Sequence, residues 1–109
     1  MRKAKVIIGD QLAGLLWQDE EGYHFVYETS YASQADARPV SLTLPVRVAP
    51  YTSNVLFPFF DGLIPEGWLL MVAEKNWKLN PRDRMGLLLA CCRDCIGNVS
   101  IEELKEEKP

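Results

Sequence analysis

The sequence predicts an α+β fold in one domain, with an antiparallel sheet and helices packed on one face of it. Short segments that alternate apolar and polar residues fill the first half of the chain. The second half changes to helical spacing, and one further strand pattern follows it. Strands followed mostly by helices are typical of α+β folds. The chain has 109 residues, a usual length for one domain, so we expect residues 1–109 to share one core.

The first three strands are predicted to form an antiparallel meander. Lys3 to Ile8 alternates and ends at a Gly9-Asp10 turn, and Leu12 to Gln18 follows as the second arm of a hairpin. Gly14 indicates a bulge or a close approach of the backbone. Tyr23 to Glu28 alternates again after the next turn. The apolar face of this third strand consists of Tyr23, Phe25 and Tyr27.

The next segment is predicted to contain a polar connection and a fourth strand. Tyr31 to Arg38 is rich in small and polar residues, with room for one helical turn. Val40 to Leu44 alternates between Pro39 and Pro45, which predicts a strand that the second proline ends.

Two helices are predicted in the second half. The first begins at Pro65, since proline suits the first position of a helix, and it ends near Trp77. Its inward stripe consists of Leu69, Val72, Ala73 and Asn76. A second stripe of Trp68, Met71 and Lys75 lies beside it, which makes the apolar surface wider than one core contact requires.

The second predicted helix has Asn80 as its N-cap, Pro81 at its first position and Asp83 in its first turn. Its buried stripe consists of Met85, Leu88, Leu89 and Cys92. A closing strand is predicted from Asn98 to Leu104. Its inward residues are Val99 and Ile101. We expect residues 102–109 to be a charged, frayed tail.

Composition and charge exclude several classes of function. The formal net charge is −3, and Lys and Arg are scattered apart from a small group at residues 2–5. Nucleic-acid-binding domains carry a basic stripe, so we expect no direct contact with nucleic acid. The apolar runs at 6–8 and 85–92 are too short for a signal peptide or a membrane span. We therefore expect a cytoplasmic protein without membrane contact.

No group of residues in the sequence indicates catalysis or a cofactor. His24 is the single histidine and lies in the middle of a strand between aromatic residues, where a structural role is expected. Both common phosphate-binding loop patterns are absent from the sequence. We predict that the protein is not an enzyme, has no catalytic residues and binds neither a cofactor nor a metal.

The three cysteines are Cys91, Cys92 and Cys95. Cys92 and Cys95 have the C-x-x-C spacing of redox pairs and zinc half-sites, but the chain offers too few further ligands for zinc. A thioredoxin-like motif follows a strand and precedes a helix, and here that order is reversed. Buried apolar roles are therefore favoured. A thiol-dependent enzyme that uses Cys92 and Cys95 is the remote alternative.

The sequence holds more large apolar side chains than a small sheet and two helices bury. Nine of them are Trp17, Phe57, Phe59, Phe60, Ile64, Trp68, Leu70, Met71 and Trp77. Most lie in or near a loop rich in proline and glycine, which indicates a surface for a partner protein. The predicted partner-binding residues are Phe59, Phe60, Ile64, Glu66, Trp68 and Met71. Trp68 is the predicted anchor of this contact, and a place for it in the core is the alternative.

Three motifs carry a resemblance to a known family. They are PVSLTLP at 39–45, FFDGLIPEG at 59–67 and DRMGLL at 83–88. In order and approximate spacing they resemble the N-terminal subdomain of HipA-family Ser/Thr kinases, the toxins of bacterial toxin–antitoxin modules. The resemblance covers about Lys3 to Ile101, and the middle motif is the most specific. Gly62 and Arg93 depart from it, since the family usually has Asn and Gly there.

The resemblance implies a function in a complex of proteins. A stand-alone copy of this subdomain is similar to the HipS group of three-gene HipB–HipS–HipT modules. There, a HipT-like kinase toxin lacks the subdomain, and a HipB-like helix-turn-helix protein binds DNA. We therefore expect an antitoxin that binds and inhibits a HipT-like kinase, with a HipB-like protein in the same complex. A structural or regulatory subunit that does not inhibit the kinase is the alternative.

Overall fold

The computed structural model describes residues 2–64, 67, 82–91 and 98–104, and its centre is a five-stranded antiparallel sheet. The strands are β1 (Arg2–Ile8), β2 (Gln11–Asp19), β3 (Gly22–Tyr27), β4 (Tyr51–Ser53) and β5 (Val99–Leu104). Their order across the sheet is β4-β3-β2-β1-β5. The predicted meander of three strands and the closing strand are confirmed, and the fold is α+β as expected.

A bulge lies where β1 pairs with β2, near the glycine that predicted an irregularity. Val6 pairs with Gly14 and Ile7 pairs with Leu12, so Ala13 is an extra residue without a partner across the pair. Its carbonyl accepts a hydrogen bond from the N–H of residue 28 instead, at 2.8 Å. The bulge or close backbone approach that Gly14 predicted is therefore confirmed.

Three described helices accompany the sheet. They are α1 (Thr29–Ala32), α2 (Pro58–Asp61) and α3 (Arg84–Cys91). The rings of Phe25 in β3 and Phe60 in α2 lie 5.5 Å apart, and α3 contributes its buried side chains to the same face of the sheet. The fully buried members of this core include Ala4, Val6, Leu16, Phe25, Phe60, Met85, Leu87, Leu88 and Ile101.

The N-terminus of α3 differs from the prediction. The helix begins at Arg84, and Asp83 is its cap, since the Oδ1 of Asp83 accepts a hydrogen bond from the N–H of Gly86 at 3.1 Å. The predicted cap at Asn80 and first residue at Pro81 lie outside the described residues. Met85 and Leu88 are buried as expected, and so is Leu87, which the predicted stripe did not include.

The strand predicted from Val40 to Leu44 is wrong. The N–H of Leu44 donates to the carbonyl of Ser41 at 3.0 Å, which closes a turn. Val40 and Leu44 are both buried, and Leu42 between them is 94% exposed. The flanking prolines and the Ser41–Thr43 hydroxyl contact at 3.0 Å favour a turn over an extended strand.

The charged end of the chain also differs from the expectation. β5 continues to Leu104, which pairs with Lys3, so residues 102–104 belong to the sheet rather than to a frayed tail. Lys5 lies opposite Glu102 in this pair of strands, and opposite charges at such positions stabilise pairing. Apart from Gly67, the residues of the helix predicted from Pro65 to Trp77 lie outside the described residues.

Candidate interaction surface

The apolar segment from Phe57 to Ile64 is divided between the core and the surface. Phe60 is fully buried and Ile64 is 8% exposed, so both pack inside the chain. Both side chains thus have a packing role in this chain, and the partner contact expected of them stays a prediction. The sequence did not reveal this because α2 has a single turn, too short for its apolar spacing to identify the inward face.

Phe59 differs from its neighbours because it lies at the edge of the core. Its side chain is half-buried, and its ring packs against the Phe60 ring in a T-shaped arrangement with centroids 5.3 Å apart. An aromatic ring held in this way has limited freedom and keeps an exposed part. The predicted role of Phe59 in partner binding stays a prediction.

Two ion pairs fix the elements on either side of residues 65–81. The Nε of Arg84 in α3 donates to the Oδ1 of Asp61 in α2 at 2.6 Å, and this bond raises the pKa of Arg84. Arg2 in β1 donates two hydrogen bonds to the carboxylate of Asp83, at 2.6 and 2.7 Å. The two-pronged geometry is the strong form of this contact, so α3 is held to both α2 and the sheet.

The chain reaches the surface shortly after the buried Ile64. Gly67 is exposed, and a side chain added there would have no atom of the described residues within 4 Å. The predicted site residues Glu66, Trp68 and Met71 lie outside the described residues. Their role in partner binding stays a prediction.

The turn at residues 39–45 is a surface that sequence reasoning missed. The hydroxyl of Tyr27 accepts a hydrogen bond from the N–H of Val40 at 2.9 Å and donates one to the carbonyl of Leu44. These contacts are buried, and burial raises the pKa of Tyr27, which keeps its hydroxyl protonated. Both ends of the turn are therefore joined to β3 through a single side chain.

Two more tyrosines hold the same segment. The hydroxyl of Tyr31 donates to the carbonyl of Arg38 at 2.6 Å and accepts from the N–H of that residue at 3.1 Å. The hydroxyl of Tyr51 donates to the carbonyl of Pro45 at 2.6 Å. The turn is thus fixed at both ends while Leu42 at its centre stays exposed. Its signal in the sequence is a Ser and a Thr around one apolar residue between two prolines.

His24 lies on the opposite face of the sheet and has a structural environment. Its Nε2 lies 2.8 Å from the Oδ1 of Asp19, and its Nδ1 lies 3.1 Å from the Oγ1 of Thr52. The ring stacks on Trp17 with centroids 5.0 Å apart. The hydrogen bond from His24 lowers the pKa of Asp19. Because both ring nitrogens are engaged, His24 links β3 to β4 and to the end of β2.

Cysteine chemistry has little support among the described residues. Cys91 is half-buried, and burial raises the pKa of its thiol, which lowers the fraction of reactive thiolate. Cys92 and Cys95 lie outside the described residues. Residues 2–64, 67, 82–91 and 98–104 contain no group of His, Cys, Asp and Glu that could hold a metal. Among these same residues no helix is long and apolar enough to cross a membrane.

Comparisons with known proteins identify the family. Residues 4–102 match the family model described as the HipA N-terminal domain. An uncharacterised protein of Haemophilus influenzae is 34% identical over 106 residues, which are 97% of this chain and 96% of that protein. A solved structure of the N-terminal domain of HipA toxin has 28% sequence identity and a TM-score of 0.73, and the match covers 98% of this chain and 96% of that one.

A further relative carries the same domain within a longer protein. The protein named "Putative kinase Y4mE" of Sinorhizobium fredii is 29% identical over 92 residues. These residues are 84% of this chain but only 22% of that protein, so the chain spans about a fifth of its length. The similarity is thus to the non-catalytic N-terminal part of such proteins, and the resemblance seen in the three motifs is confirmed: the chain belongs to the HipA N-terminal domain family.

Proposed function

We propose that this protein is an antitoxin that binds a HipA-like Ser/Thr kinase and holds it inactive. The observation that supports this most is how much of each relative's length the chain matches. A protein of nearly the same length in Haemophilus influenzae consists of the same domain, whereas the Sinorhizobium fredii protein contains it as a small part. A domain found both alone and in a longer chain can complete a kinase that lacks it, as HipS does for HipT.

The proposed complex has three kinds of component. The kinase partner is HipT-like and lacks its own N-terminal domain, and a HipB-like helix-turn-helix protein provides the contact with DNA. The net charge of −3 supports a role for this chain in protein contacts rather than in direct nucleic-acid binding. The proposed setting is the bacterial cytoplasm, without membrane contact.

The proposed kinase contact consists of Phe59, Glu66, Trp68 and Met71. Phe60 and Ile64 support it from the core, and the Asp61–Arg84 ion pair fixes the position of α2. A tryptophan close to a rigid element loses little conformational freedom on binding, which favours it as the main contact. Trp68 follows the exposed Gly67 in the sequence, and this supports its assignment to the surface.

The Trp68→Ala variant tests this proposal in cells that express the kinase encoded beside this chain. The wild-type chain should restore growth, and the variant should fail to do so because it loses about 2–4 kcal/mol of binding free energy, the range of interface hot spots. A Val55→Ala variant is the control, since Val55 is exposed outside the proposed contact. No rescue by the wild-type chain would contradict the antitoxin proposal.

Thermal unfolding separates the two roles considered for Trp68. A tryptophan in the core would cost about 3–5 kcal/mol of stability when replaced by alanine. If Trp68 is an interface residue, the melting temperature of Trp68→Ala should be close to that of the wild type. A folded variant that still rescues growth fully would place the inhibitory contact elsewhere in the chain.

A further inference from the structure

The face of the sheet that points away from the core is apolar at its centre. Three neighbouring strands each contain three consecutive apolar residues, which are Val6-Ile7-Ile8 in β1, Leu15-Leu16-Trp17 in β2 and Phe25-Val26-Tyr27 in β3. Because side chains alternate between the two faces of a strand, each run places apolar side chains on both faces. An antiparallel sheet with one face in solvent has polar residues there, so these runs are typical of strands that are covered on both sides.

The strand register places the outward side chains side by side. Leu15 in β2 lies opposite Val26 in β3, and Trp17 and Leu104 lie on either side of Lys3 in β1. The apolar members of this surface, which we call the outer patch, are Ile7, Leu15, Trp17, Val26 and Leu104. All five are partly exposed, and none belongs to the side chains that pack against the core. The outer patch is therefore an apolar surface separate from the core.

The size of the outer patch argues against a second copy of this chain as its occupant. Strands lie about 4.8 Å apart and outward residues about 6.8 Å apart along a strand, so a patch over four strands has an area of about 400 Å². Two such patches would bury about 800 Å² in total, which is the size of a crystal contact rather than of a stable dimer. The patch is better suited to form one part of a larger interface.

The place where the domain ends indicates which protein covers the patch. The family match ends at residue 102, inside β5, and the family is an N-terminal domain, so in HipA the rest of the protein follows this strand. In the putative kinase of Sinorhizobium fredii the matching part is only 22% of the protein, so a much larger body is joined to it. Leu104, the last residue of β5, belongs to the outer patch. A body that follows β5 directly therefore begins at the border of this patch.

We propose that the outer patch is a docking surface for the partner kinase, and that it contacts the part of the kinase that in HipA follows this domain directly. This inference rests on the proposed function, since it names a second surface for the same partner. A separately encoded kinase then binds where a fused kinase begins. The area of the patch adds to that of the contact through Trp68, which brings the whole interface closer to the size of a specific complex.

The test compares Leu15→Thr with Val55→Thr in binding to the purified kinase encoded beside this chain. Threonine suits a strand but removes most of the apolar surface of Leu15. Val55 is 65% exposed and follows β4, which lies at the opposite edge of the sheet from β5. We expect Leu15→Thr to raise the Kd by about tenfold or more and Val55→Thr to leave it unchanged. An equal Kd for Leu15→Thr and the wild type, or an equal rise in both variants, would overturn the assignment.

Thermal unfolding of the chain without the kinase shows whether Leu15 is open to a partner. If the outer patch faces solvent in the free chain, Leu15→Thr should melt close to the wild type, as substitutions on a surface usually do. A markedly lower melting temperature would show that this chain itself covers Leu15, and it would overturn the inference.

Two results separate this inference from the proposed function. If the wild-type chain does not bind the kinase at all, the proposed function fails and the inference fails with it. If the wild-type chain and Leu15→Thr bind and inhibit equally, only the docking through the outer patch is wrong. A wild-type dimer that Leu15→Thr dissociates, measured by sedimentation, together with unchanged kinase binding would assign the patch to a second copy and overturn the inference.

Discussion

Gly14 lies where the ring of Phe25 crosses β2, and the absence of a side chain there is a requirement of packing. A Cβ at this position would lie 2.9 Å from the Phe25 ring and closer still to the carbonyl of Val26. Neither neighbour can move easily, since one is core and the other is strand backbone. We expect Gly14→Ala to lower the free energy of unfolding by about 1–3 kcal/mol, the usual effect of overpacking.

Urea unfolding measures this effect, and Gly67→Ala is the matched control. A Cβ at Gly67 would meet no atom of the described residues within 4 Å, so that variant should retain the stability of the wild type. Equal stability of the two variants would show that β2 and β3 can separate at Gly14 without a loss of stability.

Asp83 gives the protein a stability that depends on pH. The hydrogen bonds from Arg2 lower the pKa of Asp83 below its ordinary value of about 3.9. A carboxylate whose pKa is lower in the folded state stabilises the fold above its unfolded pKa and loses this effect as the pH falls through the folded pKa. The free energy of unfolding should therefore decrease on acidification below about pH 4.

Asp83→Asn should reduce this dependence and lower the stability at pH 7, while the asparagine still caps α3. Urea unfolding at several pH values is the measurement. Asp19, whose pKa is also lowered, accounts for part of the pH dependence of stability that remains in this variant. Asp36→Asn is the control, since Asp36 is exposed and should leave the curve unchanged. An identical acid response in Asp83→Asn and the wild type would refute a role for the Arg2–Asp83 pair.

At the scale of elements, the turn at 39–45 depends on β3 for its shape. Tyr27→Phe removes the hydroxyl and leaves the buried N–H of Val40 and the carbonyl of Leu44 without this partner. Unsatisfied buried groups cost about 1–3 kcal/mol, so the variant should unfold at a lower temperature. Hydrogen exchange at the Val40 amide should also become faster.

Tyr51→Phe is the control for this prediction. The bond from Tyr51 to Pro45 is exposed, so water can replace the hydroxyl and the loss of stability should be smaller. Equal losses in the two variants would contradict the dominant role of Tyr27.

Elements with strong local signals could be predicted from the sequence, and elements defined by tertiary contacts could not. The alternation of Tyr23 to Glu28 and the Gly9-Asp10 turn identify the meander because both act over a few residues. Val40 to Leu44 alternates equally well, but Tyr27, far away in the sequence, gives its backbone other hydrogen bonds. In the same way, Phe60 faces inward because Phe25 lies opposite it, which local spacing does not encode.

At the scale of the whole molecule, α2 and α3 flank in the sequence the segment that the proposal assigns to the kinase. Side-chain contacts join these elements: α3 is held to the sheet by Arg2 and Asp83, and to α2 by Arg84 and Asp61. A scaffold fixed in this way loses little entropy on association, which favours a stable complex. We expect a 1:1 complex with the kinase that buries at least about 1,000 Å² of surface.

The proposed inhibition is tested by the rate of phosphoryl transfer by the purified kinase, measured against increasing amounts of this protein. We predict that the rate falls and reaches its minimum at one equivalent of the wild-type chain. Trp68→Ala should need far higher concentrations, and Val55→Ala should match the wild type. A kinase that binds the chain and keeps its full rate would contradict inhibition and would identify the chain as a structural subunit.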